Sequence, residues 1–291
     1  MNGEPSSDFR KKHRMVFGTE KEYIKVKKAT VLLMVFVMAS SVLWVSGCSA
    51  LEKKERVGII SAMDNEIDVL LKEAKIDRVD SIGGVEYHLG TLRGKDVVIT
   101  RAGIGKVRAS SGVTAMLNKY NISKILFTGI AGGVADGTQV LDEVVATRLV
   151  EHDYGIIDNN GFVWVSGDPG MGKQEGIYYY CDPDLVELAY QASVEIVGQE
   201  HVHKGTIATG DQFIASEAYV QRLKEDYDAY ACEMEGASVA VICIKYNKPF
   251  VVIRALSDKA DGAAHESYEN FGDIAGANSS RIVLKMLDSI G

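Results

Sequence analysis

The chain has 291 residues, 32 Lys and Arg against 40 Asp and Glu, a net charge of −8 and an apolar fraction of 46%, a balance that excludes disorder along most of its length. The first 47 residues hold eight basic and four acidic side chains, so the remainder carries −12. An acidic body of this kind argues against a nucleic-acid binder.

In chain order, Lys25, Lys27 and Lys28 precede an almost uncharged run over 29–47 that includes Val31, Leu32, Leu33, Val35, Phe36 and Val37. A charged stretch followed by an apolar one is the layout of an export leader and lies outside fold reasoning. The run ends in Val45-Ser46-Gly47-Cys48, which resembles the bacterial lipoprotein signal, where small residues fit the peptidase and the Cys thiol accepts a diacylglyceryl group. That resemblance implies a signal peptide over 1–47, a lipidated Cys48 as mature N-terminus, and an exported lipoprotein facing the periplasm or cell surface. The alternative is a single transmembrane anchor, since about 18 apolar residues approach the ~20 that span a bilayer. Residues 48–55 then read as a linker and 56–291 as one domain of common size.

The body alternates strands and helices. An apolar run over 57–61 reads as a buried strand feeding an amphipathic helix over 63–75, with Ile67, Leu70, Leu71 and Ala74 at helical spacing. Segments 85–92 and 96–102 read as a strand pair around Arg93-Gly94-Lys95, followed by a helix over 107–120 and a strand over 125–128 that runs into a glycine-rich turn. Further strands are expected at 144–150, 203–209 and 250–256, and further helices at 184–197, 217–227, 237–246 and 273–290. Repeated strand-helix units with continuous apolar strands imply an α/β fold: a single three-layer α/β/α sandwich around a mixed, mostly parallel twisted sheet. In such sheets ligands sit outside the C-terminal ends of the strands.

Four strand ends carry polar or glycine-rich sequence. Ser61-Ala62-Met63-Asp64-Asn65-Glu66 puts acids in a first helical turn, which helix-dipole complementation alone would explain. Gly129-Ile130-Ala131-Gly132-Gly133 lets backbone approach a ligand, although its spacing matches no phosphate-binding loop. Ala231-Cys232-Glu233-Met234-Glu235-Gly236 reads equally as a helix start with solvated acids. In the fourth, Arg254 lies inside an apolar strand that ends at Ser257-Asp258, and a buried guanidinium demands a carboxylate partner. Cys181, Cys232 and Cys243 show no metal-ligand spacing, so no metal is expected, nor is any cofactor, and Cys232 and Cys243 read as small buried hydrophobes. A disulfide between two of them remains open in an exported chain.

Six ordered segments together resemble the nucleoside phosphorylase and nucleosidase superfamily, and within it the 5′-methylthioadenosine/S-adenosylhomocysteine nucleosidases. They are the stretches 58–66, Ala102-Gly103-Ile104-Gly105-Lys106-Val107, Thr128 to Gly133, Gly210-Asp211-Gln212-Phe213-Ile214, Glu233 to Ala237, and Arg254 to Asp258. The resemblance implies that Asp258 is the general acid at the purine N7, oriented by Ser257, and that Glu66 activates water. It puts Glu235 on the ribose hydroxyls with Glu233 and Met234 lining that side, Phe213 and the backbone of Ile214 on adenine, and Arg254 near the water. Met63, Ile104 and Tyr268 would build the apolar 5′ pocket. Expected partners are a nucleoside substrate, a membrane reached through lipid on Cys48, and a second copy in a homodimer. Ile130 stands where many relatives have Ser, and Tyr268 replaces a common Phe. Relatives that use phosphate tend to carry Arg where this chain has Thr128, so hydrolysis is favoured over phosphorolysis; a non-catalytic surface nucleoside binder is the remaining alternative.

Overall fold

The computed structural model describes residues 54–159, 161–164 and 178–290; the leader and Cys48 lie outside them. The strands are β1 (Glu55–Ser61), β2 (Lys75–Ile82), β3 (Val85–Leu92), β4 (Lys95–Arg101), β5 (Asn121–Gly133), β6 (Glu143–Glu151), β7 (Gly155–Asp158), β8 (Gly161–Trp164), β9 (Tyr179–Tyr180), β10 (Val202–Thr209), β11 (Ala229–Glu233) and β12 (Phe250–Asp258). Between and after them run the helices α1 (Asp68–Glu73), α2 (Lys106–Lys119), α3 (Pro183–Val197), α4 (Glu217–Tyr227), α5 (Gly236–Lys245) and α6 (Ala264–Ser289). Local chemistry sets several of these boundaries. Asp182 accepts the N–H groups of Asp184 and Leu185 to cap α3 with Pro183 at its first position, and Ser216 caps α4.

The sheet is mixed, as expected. β4, β1, β5 and β12 run parallel, and β6, β10 and β11 form a second parallel group joined to the first where β6 lies antiparallel to β12. The sheet also curls until β11 meets β5, pairing Ala231 with Gly133 and Cys232 with Gly132. Strands β5, β12, β6, β10 and β11 therefore close into a ring. Helices α3 and α6 pack together, as do α2 and α5, and both groups lie against the strands. Coverage on both faces explains why every residue of β12 is buried. The interior is built from aliphatic side chains such as Ile59, Ile99, Leu126 and Ile253, each fully buried.

Several local expectations change. Instead of a helix over 63–75, residues 62–66 make a tight turn and only Asp68–Glu73 is helical, because the Glu66 side chain takes the amide hydrogens that would open a longer helix. The glycine-rich segment after 128 continues as strand to Gly133. β2, β11 and the β7–β8 hairpin were not expected; β2 is a largely exposed edge with little apolar alternation. α6 begins at Ala264 rather than 273. The β3–β4 turn does fall at Arg93 and Gly94, both at positive φ (49° and 73°), the requirement of a tight two-residue hairpin. Cys181, Cys232 and Cys243 are buried free thiols, which closes the disulfide question for the described residues.

Candidate active site

The ends of β1, β5, β11 and β12 and the loops around 104 and 213 meet at one cavity of about 480 Å³. Glu66 reaches it from the turn after β1. Its Oε2 accepts the N–H groups of Ala62 and Met63, both at 2.8 Å, and its Oε1 accepts that of Ile130 at 3.0 Å. Burial pushes this carboxyl above its usual range, while Arg254 and the three amides pull it back toward the anion. The neighbouring strand can pass only because residue 129 is glycine: a Cβ there would lie 2.7 Å from Glu66 Oε1 and 3.0 Å from Arg254 Nη1.

Asp258 ends β12 on the same cavity. Ser257 Oγ donates to its Oδ2 at 2.8 Å, and the N–H of Ala260 donates to its Oδ1 at 2.8 Å. Burial raises this carboxyl above the ordinary range despite those two bonds. A carboxyl held that way can keep a proton for delivery.

Arg254 does not line the cavity but stands behind it. Its Nη2 donates to Glu233 Oε2 at 2.6 Å and lies 3.9 Å from Glu235 Oε2, while its guanidinium sits 4.1 Å above the Phe127 ring. Glu233 is also held by Thr209 Oγ1 and the amides of Glu235 and Gly236, so its oxygens are occupied by the fold. Glu235 is freer: Oε1 accepts the N–H of Gly105 at 2.8 Å. Burial, with the nearby Glu233 carboxylate, pushes Glu235 up to about 8 against the pull of Arg254.

The rest of the wall is mainly apolar: Met63, Ile104, Ile130, Phe213, Ile214, Met234 and Tyr268. Phe213 is 51% exposed and meets Tyr268 and His265 edge-on, with ring centroids 6.4 Å apart in each pair. The Tyr268 hydroxyl points at Met63 Sδ, 3.7 Å away. Thus Met63, Glu66, Ile104, Phe213, Ile214, Glu233, Met234, Glu235, Ser257, Asp258 and Tyr268 converge, with Arg254 in support. Sequence reasoning assigned no role to Gln212, His265 or Cys232, which also line the cavity. Gln212 sits inside a quoted segment, whereas His265 lies in a polar stretch that no apolar period marked as helix. Among the described residues no group of three His, Cys, Asp or Glu side chains is placed to hold a metal ion.

Known proteins share the sequence pattern and fold of this chain. The model of the phosphorylase superfamily matches residues 56–288. A 5′-methylthioadenosine/S-adenosylhomocysteine nucleosidase of Shewanella frigidimarina is 36% identical over 237 residues, covering 81% of this chain and all of that protein. The solved structure of the Neisseria meningitidis nucleosidase of the same name, in complex with methylthio-immucillin-A, is 32% identical with a TM-score of 0.73 and spans 81% of this chain and 99% of its own. Futalosine hydrolase of Helicobacter pylori is similar to nearly the same degree, 31% identical with a TM-score of 0.70 over 81% of this chain and 98% of its own.

Proposed function

This chain belongs to the phosphorylase superfamily, and we propose that its pocket hydrolyses the N-glycosidic bond of 5′-methylthioadenosine, S-adenosylhomocysteine or a related 5′-modified adenosine, releasing adenine and the 5′-thioribose. The observation that carries the reading is a cavity lined by the carboxyl groups of Glu66, Glu235 and Asp258 with no Lys or Arg among the described residues that line it. A phosphate dianion would find no cationic side chain in that lining and would meet the Glu66 carboxylate. Thr128, at the position where a cation would favour phosphate, is instead buried against Ser279 Oγ at 2.6 Å. Water is therefore the nucleophile the site accommodates.

Breaking the bond leaves positive charge on the sugar and negative charge on the departing purine. The two carboxyl environments divide the work. Asp258, whose carboxyl burial holds toward the protonated form, delivers a proton to N7. Glu66, held by three amides with Arg254 nearby, orients and deprotonates the water. Glu235 takes the ribose hydroxyls, and its carboxyl oxygens help stabilise the cationic sugar. Phe213 offers a face to the adenine and Ile214 its backbone, while Met63, Ile104 and Tyr268 enclose the 5′ substituent.

The same reading includes export as a lipoprotein anchored through Cys48, which the leader and the Ser-Gly-Cys junction support, and pairing of two copies. Val107, Tyr154, Ile156 and Ile157, on segments flanking the 104 loop and the end of β6, are 75%, 47%, 58% and 82% exposed, apolar surface that a second copy would cover. The decisive experiment incubates the purified protein with candidate nucleosides, with and without phosphate, and identifies the sugar released. Free 5′-thioribose in both conditions is the expected product. A ribose 1-phosphate would make the enzyme a phosphorylase, and no adenine at all would leave a binding protein.

A further inference from the structure

Outside the carboxylate constellation, three charged residues next to the cavity's lining loops form a closed circuit. Lys106 Nζ donates to Asp153 Oδ1 at 2.7 Å, the N–H of Asp211 donates to Asp153 Oδ2 at 2.8 Å, and the N–H of Lys106 donates to Asp211 Oδ1 at 2.8 Å. Each residue touches the other two, and they come from three separate segments. Lys106 also lies 3.2 Å from Glu151. The Lys106 and Asp153 side chains are only 18% and 14% exposed, so solvent screens this pair less than an ordinary surface bridge. Burial alone would lower the Lys106 ammonium, yet Asp153 and Glu151 raise it. Burial alone would raise Asp153, yet Lys106 and the Asp211 amide lower it.

What these residues are attached to gives the circuit its meaning. Ile104 and Gly105 immediately precede Lys106; Ile104 lines the cavity, and the Gly105 N–H is the one that holds Glu235. Phe213 and Ile214 follow Asp211 by two and three residues and form the opposite wall. Asp153 lies just past β6, a strand of the ring. We propose that Lys106, Asp153 and Asp211 are positioning residues, a clasp that fixes the wall carrying Ile104 and Glu235's amide donor at a set distance from the wall carrying Phe213 and Ile214. The clasp rests on the hydrolase reading only for the identity of what is held. It acts on binding of the nucleoside rather than on proton transfer, because none of its atoms belongs to the acid or to the water-activating carboxylate.

The test exploits the geometry of Asp211, which uses a single side-chain oxygen as acceptor. In Asp211→Ala the Lys106 amide loses its partner, so KM for 5′-methylthioadenosine should rise roughly tenfold, the scale of one hydrogen bond to a charged group, with kcat within about twofold. Asp211→Asn keeps that oxygen and should restore KM, whereas a structural charge effect would damage both variants equally. Backbone amides at 210–214 should exchange with deuterium faster in Asp211→Ala than in the wild type. An unchanged KM and exchange rate in Asp211→Ala, or equal defects in the Ala and Asn variants, overturns the clasp. Should Asp211→Ala fail to fold, Lys106→Met with rescue by Lys106→Arg is read by the same two measurements and the same criteria. If the wild type releases no adenine, the hydrolase reading fails, but the exchange comparison still decides whether the clasp exists.

Discussion

Arg254 and Glu233 face each other at 2.6 Å, Nη2 donating to Oε2, with both side chains sealed from solvent. Neither charge has bulk water to return to, so each depends on the other. In Arg254→Met the stranded carboxylate should cost about 3–5 kcal/mol of stability. Urea unfolding should show a lower midpoint at unchanged slope. Adding Glu233→Gln should recover part of the loss, and strictly additive effects would refute the coupling.

Asp258→Asn should fold, since Asn can still accept the Ala260 amide and accommodate Ser257. Its amide has no proton of suitable acidity to deliver, so turnover should fall ~10² to 10⁴-fold. Near-normal kcat in a folded variant would remove Asp258 from the acid role.

Glu66 acts as a base only when ionised, and burial raises its carboxyl above the ordinary glutamate range. The rate should therefore decline on the acid side at a higher pH than an ordinary glutamate would give. Glu66→Gln should suppress kcat while leaving inhibitor binding nearly intact. Loss of binding without loss of kcat would return Glu66 to a structural role.

Glu235 sets a pH dependence of stability. In the unfolded chain its carboxyl ionises near 4.5, but in the folded protein it stays protonated up to about 8. Unfolding therefore releases a proton between those values, and this residue's contribution to stability falls as pH rises from about 4.5 to about 8, then levels off. Glu235→Gln should remove that slope, a difference on the order of a few kcal/mol between the ends of the window. Parallel stability curves for the two proteins would contradict the assignment.

Cys48 should carry acyl chains at the mature N-terminus, visible by mass spectrometry, and high salt should fail to release the protein from membranes. Cys48→Ser should abolish acylation. An unmodified Cys48 or an uncleaved wild-type leader would favour a transmembrane anchor.

The apolar strands were legible because buried strands announce themselves as continuous runs: β1, β10 and β12 were expected near their observed bounds. β2 was not, since an exposed edge strand such as Lys75–Ile82 needs no apolar face. The carboxylates were visible as residues, but alone each admitted a bland reading. Glu66 looked like a helix-start acid until the fold turned its side chain back onto three amides. Glu233 and Glu235 looked alike, and only tertiary contacts separate the one locked to Arg254 from the one open to the cavity. His265 was invisible because the first turns of α6 lack the apolar period that marks the rest of that helix.

The closed circuit of β5, β12, β6, β10 and β11 also decides where this molecule can breathe. Glu233 and Asp258 end strands of that circuit, and Glu66 is bonded to it through the Ile130 amide. Opening a gap between any two of these strands would sacrifice ladder hydrogen bonds on both sides. Admission of a nucleoside and departure of adenine therefore fall to what hangs from the circuit without being tied by Lys106, Asp153 and Asp211: the first turns of α6, which carry His265 and Tyr268 onto the cavity. The reacting groups and the two clasped walls form the fixed frame, and the start of α6 is the door.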